Sequence, residues 1–402
     1  MSLNFGRQQL AIPGPSVIPD RVLSAMHRPS PDIYEGELVE ISTRVFADLK
    51  AVARTKENCA VYISNGHGAW EAALRNTFAE GDEVLVLATG RFAAGWAELA
   101  RSLGLKTEVI DFGMTADADP NRLEEILRAD TGRRFKAVMV VQTDTASSVR
   151  NDIPALRKAI DDAGHDALFA VDCIASLGCE PFEMDRWGVD LMVTACQKGL
   201  MTPAGMSFVF FGDRCVEARK RARPGGYWDW VPRADPQVFY QYFGGTPPTH
   251  HLFGLHEALT MLVHEEGIEQ AWRRHETLAQ AYWAAIDAWG EGDAMTHNIR
   301  DRAKRSRAVS AVVTPAGCAR RIRAWTKQEA GVTLGVALGF GQEGDLEYDR
   351  RFRIGHMGHQ NLPMTFGVIG AIDAAMKALG IGHGRGALEA ASAVLAAHGQ
   401  GA

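Results

Sequence analysis

The chain contains no apolar run near the ~18 residues that suggest a membrane span. It also has no basic surplus. Forty-three Lys and Arg stand against 49 Asp and Glu, a formal net charge of −6, so nothing in the balance drives nucleic-acid binding. Six cysteines (Cys59, Cys173, Cys179, Cys196, Cys215 and Cys318) are scattered without C-x-x-C spacing. That argues against a zinc site and against a disulfide framework. Neither a G-x-G-x-x-G nor a Walker A pattern occurs, so nucleotide-binding families have no claim. The start, MSLNFGRQQLAIPGPS, has no basic stretch leading into an apolar one, so it does not read as a secretory signal. A reducing cytoplasm is the expectation. Internal repeats and low-complexity linkers are absent.

What remains is an ordinary globular composition, 46% apolar and 23% charged over 402 residues, long enough for two or three layers of core. From about residue 60 to 215, short apolar runs alternate with amphipathic stretches. CAVYIS precedes AWEAALRNTF, DEVLVLAT precedes GWAELARSLG, and KAVMVVQ precedes IPALRKAIDDAG; ALFAVD, DLMVTA and MSFVFFG follow. Runs apolar on both faces suit a parallel sheet covered by helices on each side. Strand–helix alternation of this kind predicts an α/β fold built of βαβ units. After residue 250 the pattern turns to long helical stretches, then to the strand-like AVSAVVTP and RFRIGHMG, and to a helix near VIGAIDAAMKALG. The expected organisation is an N-terminal arm (1–20), a large α/β domain (21–260) and a smaller C-terminal α+β domain (261–402), the last completed by the arm.

In an open parallel sheet, ligands bind beyond the carboxyl ends of the strands. Four such ends carry chemistry. In YISNGHGAWEAAL, the turn Asn65-Gly66-His67-Gly68 opens a helix, and a helix N-terminus with close glycine backbone suits an anion such as a phosphate. A tight turn that binds nothing is the bland alternative. In ALFAVDCIASLG, Asp172 follows a buried run; it either caps the next segment or faces a cationic ring nitrogen. In DLMVTACQKGL, Lys198 ends the next run, 26 residues after Asp172. It either snorkels to solvent or serves as an amine of lowered pKa. In VVQTDTASSVRND, Thr145, Ser147 and Ser148 supply hydroxyls, the usual chemistry of turns. Each signal is modest alone. Together, a phosphate cradle, an acid for a pyridine nitrogen and a lysine for an aldehyde specify pyridoxal phosphate (PLP).

The motifs NGHGAWEAAL, VDCIASLG and CQKGL in this order, with IPGPSVIP (12–19) and RFRIGHMG (351–358) at either end, resemble the class V, fold-type I PLP-dependent aminotransferases. The likeness is nearest to the alanine–glyoxylate and serine–glyoxylate branch. The resemblance implies a large domain with a mostly parallel sheet sandwiched by helices, and a smaller α+β domain. It implies that Lys198 bonds the cofactor aldehyde and carries the proton shift, and that Asp172 keeps the pyridine nitrogen protonated. Asn65, Gly66, His67 and Gln197 would hold the phosphate, and Thr145 would sit near the ring edge or phenolic oxygen. Phe92 would stack on the ring, with Trp96 as the alternative. Thr246 would reach the phosphate of a partner subunit; Phe243 stands where a tyrosine is usual, with Tyr242 beside it. Arg353, rather than Arg351, would grip the substrate carboxylate, with Gly14 and Ser16 nearby.

The implied reaction moves an amino group from a small L-amino acid (serine, alanine or aspartate) to a 2-oxo acid such as glyoxylate or pyruvate, in a homodimer with shared sites. The segment RPGGYWDWVPRAD (Tyr227, Trp228, Trp230, Arg233) stays open between a buried interface patch and a second carboxylate site at Arg233. His356 reads as packing. The same fold also houses cysteine desulfurases, for which Cys318 is the one cysteine in the C-terminal domain (261–402), but TPAGCARRI lacks a Ser/Gly-rich loop. A lyase and a catalytically silent binding protein of this fold are further alternatives.

Overall fold

The computed structural model describes residues 3–291 and 295–398. A seven-stranded sheet forms its centre. In chain order the strands are β1 (Asn58–Tyr62), β2 (Glu83–Ala88), β3 (Lys106–Asp111), β4 (Phe135–Val141), β5 (Leu168–Asp172), β6 (Leu191–Ala195) and β7 (Ser207–Phe211). Their spatial order is β1-β7-β6-β5-β4-β2-β3. All neighbours pair parallel except β7, which runs antiparallel to both β1 and β6. Six strands therefore point the same way and deliver their carboxyl ends to one edge.

Side chains alternate across a strand, and here both faces are apolar. Val61, Leu85, Val138, Phe169 and Met192 feed one core, which helices such as Glu37–Ala53 and Ile153–Asp162 cover. Ala60, Val84, Ala137, Ala170 and Val193 feed the other, beneath helices α1 (Gly66–Thr77) and α2 (Arg91–Ser102). Edge strand β3 differs. Its residues are half-buried or exposed, and KTEVID carries charge accordingly.

A third core gathers Tyr282, Trp289, Val312, Phe352, Ile354 and Ile372, with Ala11 from the arm. Gln9–Ala11 pairs parallel with Val332–Leu334, while Thr296–His297, Val309–Val313 and Arg351–Gly355 form a three-stranded antiparallel sheet. Helix α3 (Ile268–Trp289) joins two of these cores: Ile268 and Trp272 pack in the first, Tyr282 and Trp289 in the third. Among the described residues no helix is long and apolar enough to cross a membrane, and no cluster of three or more His, Cys, Asp or Glu side chains suits a metal ion.

Candidate active site

The parallel strand ends surround a cavity of about 300 Å³, the low end of the range for small-molecule sites. Its wall brings together Gly14, Asn65, Gly66, His67, Phe92, Thr145, Asp172, Gln197 and Lys198. These residues come from five separate strand ends and the N-terminal arm.

Lys198 follows β6 and is buried. Its Nζ donates to the carbonyl of Pro13 in the arm. Burial, and then the nearby Arg353 guanidinium, pull its pKa down to about 8. Gly14 has φ +98°, and a methyl group there would overlap the Lys198 side chain, so the glycine makes room for the amine. Asp172 ends β5 and is 2% exposed. Trp70 Nε1 donates to its Oδ2 at 2.7 Å and the Ile174 amide to its Oδ1 at 2.6 Å. Burial outweighs these donors and pushes the carboxyl up to about 7. The bond to the Ile174 amide is the capping contact expected of this residue, and its side chain also lines the cavity.

Asn65 caps α1: its Oδ1 accepts from the amides of His67 (3.1 Å) and Gly68 (3.4 Å). Two of the amides expected to be free at this turn, those of His67 and Gly68, are thus already engaged, which leaves the helix dipole, the Gly66 amide and the His67 ring at this end of the cavity. Burial, and then Arg91, lower the His67 pKa. Gln197 Oε1 is buried with no hydrogen-bond partner among the described residues.

Phe92, not Trp96, lines the cavity. Trp96 is 1% exposed, stacks on Trp70 at 6.0 Å and does not line the cavity. Arg353 sits beside the cavity, 6% exposed, donating from Nε to Val336 O (2.6 Å) and from Nη1 to Thr145 O (2.7 Å). No ion-pair partner is found for it among the described residues, and burial lowers its pKa to about 10. Arg351 is occupied by Glu347 and Asn298 and lies over the Phe340 ring. Of the two arginines, Arg351 is ion-paired with Glu347, whereas Arg353 has no carboxylate partner among the described residues.

Two expected positions lie elsewhere in this chain. Ser16 does not line the cavity; its hydroxyl donates to Lys198 O at 2.7 Å and its amide to Gln197 O at 2.9 Å, bracing the backbone that carries the lysine. Thr246 is exposed and off the cavity. Arg233 does not line the cavity. It is 1% exposed, lies over the Tyr62 and Tyr227 rings, and donates to Val61 O (2.7 Å), Tyr227 O (2.7 Å) and Tyr242 O (3.4 Å). Its charge is spent on backbone carbonyls, including one on edge strand β1. Trp230 stacks on Phe211 at 3.9 Å. Tyr242 packs on Phe46 at 4.4 Å, and Phe243 is buried. Ser147 and Ser148 serve the turn: Ser147 Oγ accepts from the Val149 amide, and Ser148 has φ +64°. His356 is buried against Tyr282 and bonded to Ser310 and Arg307 O. Cys318 opens a helix and does not line the cavity.

Trp70 was not singled out from the sequence. Its position inside NGHGAWEAAL, one turn after His67 on a helix that packs against the sheet, was the available signal.

A mostly parallel sheet with a buried lysine and a buried aspartate at adjacent strand ends is the architecture of the fold-type I aminotransferases. The solved structure of ureidoglycine–glyoxylate aminotransferase from Bacillus subtilis superposes with a TM-score of 0.87 over 98% of this chain and all of that one, at 24% identity. Residues 21–336 match the family model for class-V aminotransferases. A serine–glyoxylate aminotransferase of Methylorubrum extorquens is 37% identical over 90% of each chain. An L-aspartate–glyoxylate aminotransferase of Paracoccus denitrificans is 32% identical over 92% of this chain and 91% of its own. The chain belongs to the class-V aminotransferase family, and it is a transaminase.

Proposed function

We propose that this transaminase works with PLP and moves an amino group from a small L-amino acid to a small 2-oxo acid, glyoxylate first among them. The observation that carries the reading is the convergence of Lys198, Asp172 and the Asn65–His67 turn on one cavity. The residues fit the group. Gln197 lines the cavity and would meet a phosphate through its side-chain N–H, and Gly14 leaves open the space that a methyl group would take from the lysine. The names of the relatives favour glyoxylate as acceptor and leave serine and aspartate as donors.

When bound, PLP supplies an aldehyde for amines and a pyridinium ring that takes up electron density from the substrate Cα. The chain supplies the rest. Asn65, Gly66, His67 and Gln197 would hold the phosphate at the start of α1. Asp172, fixed by Trp70 and Ile174, would face the ring nitrogen as a carboxylate; a cationic partner favours that ionised form. Phe92 would offer a flat apolar face, and Thr145 a hydroxyl at the ring edge. Lys198 moves the proton at the substrate Cα, a task that needs a neutral amine, and its lowered pKa makes one accessible near pH 8. Arg353 would take the substrate carboxylate, and Gly14 the space beside it. Ser16 would act only through the Lys198 backbone, and Thr246 at the phosphate of a second subunit in a homodimer.

The test is to incubate the purified protein and PLP with glyoxylate and each of L-serine, L-alanine and L-aspartate. Glycine forming in equal amount with one donor's 2-oxo acid supports the reading. Loss of donor without glycine would turn it toward the lyase chemistry of the same fold.

A further inference from the structure

Asp144 is fully buried, lies next to the cavity, and has no part in the chemistry above. Its Oδ2 accepts from the amides of Phe92 (2.8 Å) and Ala93 (3.2 Å), and its Oδ1 from the amide of Ala146 (2.9 Å). The first two amides belong to the opening turn of α2, whose own N-cap is Gly90 and supplies no side chain. A carboxylate from another segment therefore caps the helix that presents Phe92. The space is reserved for it, since a methyl group on Gly90 would overlap the Asp144 carboxyl.

The same residue shapes the other side of the site. Its carbonyl accepts from the Ser148 amide at 2.8 Å, closing the turn that holds Thr145. Thr145 lines the cavity, and its carbonyl accepts from Arg353 Nη1 at 2.7 Å. Arg353 has no ion-pair partner among the described residues, and the Asp144 charge is the first influence opposing the loss of its proton.

A plain helix cap would explain the bonds to Phe92 and Ala93. It would not explain why the same carboxylate also anchors the turn that braces Arg353. We propose that Asp144 is a positioning residue that locks Phe92 and the Thr145–Arg353 pair into one geometry, coupling the face offered to the cofactor with the grip on the substrate carboxylate. The inference rests on the PLP reading above.

The test uses cofactor-depleted protein of wild type, Asp144→Asn, Phe92→Leu and the double variant, titrated with PLP and followed by visible absorption and circular dichroism. Asn keeps the size of Asp but turns an N–H toward one of the three amides. Asp144→Asn is expected to weaken PLP binding about tenfold, the scale of one charge-assisted hydrogen bond, and to reduce the dichroic signal. In the Phe92→Leu background the same substitution is expected to weaken binding less than about twofold, since the ring it positions is gone. Kinetics of the single variant should show a higher KM for amino donors, read through Arg353. Additive losses of PLP affinity with an unchanged KM would overturn the inference while leaving the cofactor in place. A wild type that binds no PLP would overturn the cofactor reading and this inference together.

Discussion

Asp172→Asn offers a prediction whose size follows from burial. The carboxyl is held near pKa 7 in the folded chain, against an ordinary value of 3.8. Its folded-state pKa is raised, so the folded protein keeps a proton that the unfolded chain releases between those values. Stability is then greatest below pH 4 and declines as pH rises, levelling off above pH 7. At about 1.4 kcal/mol per unit, the full span is about 4 kcal/mol, of which about 2 kcal/mol falls between pH 5 and pH 7. Asparagine does not titrate. It also turns an N–H toward either the Trp70 or the Ile174 donor, a cost of about 1–3 kcal/mol that is the same at both pH values. Urea unfolding of cofactor-free wild type and variant, at equal protein concentration, isolates the pH-dependent part. Between pH 5 and pH 7 the wild type should lose about 2 kcal/mol more stability than the variant, so the difference between them should shift by that amount in the variant's favour. A gap that stays constant would refute the claim that burial holds this carboxyl protonated.

Other substitutions probe the remaining parts. Arg353→Gln should raise KM for amino and 2-oxo acids alike by about 30- to 100-fold, the loss of charge-assisted bonds to a carboxylate; steady-state kinetics with an unchanged KM would remove its role. Gly14→Ala places a β-carbon at φ +98° against the Lys198 side chain. It should cost about 1–3 kcal/mol of stability and lower turnover tenfold or more, and wild-type turnover would mean that Lys198 is not held where the structure has it. Arg233→Met leaves three backbone carbonyls without their donor and should destabilise the fold by about 3 kcal/mol in urea, with little change in the KM of any amino donor. A selective rise in KM for aspartate would restore Arg233 as a carboxylate receptor.

The legible parts of the sequence were those where one physical requirement dominates. Strands β1, β2 and β4 to β7 are buried on both faces, so their apolar runs stood out. Edge strand β3 has half-exposed faces, and KTEVID reads as an ordinary polar stretch. Lys198 and Asp172 were visible because a charge directly after a buried run is costly without a purpose. Trp70 and Asp144 act through contacts between segments 102 and 52 residues apart in the chain, and no local pattern announces such a pairing. Arg233 illustrates the opposite difficulty. An arginine among aromatic residues fits a ligand site and a buried pin equally well until its carbonyl partners are known. Ser16 directly follows Pro15 of the cavity wall, and only the backbone path shows that its hydroxyl turns to Lys198 O instead.

The most direct test of the central claim is to locate the covalent bond. Purified protein is incubated with PLP, reduced with borohydride, digested and mapped by mass spectrometry. The account predicts a pyridoxyl group on Lys198 alone, lost in Lys198→Ala together with the visible absorption band. Label on another lysine, or none in a folded wild type, would contradict the assignment of Lys198 as the amine that holds the cofactor.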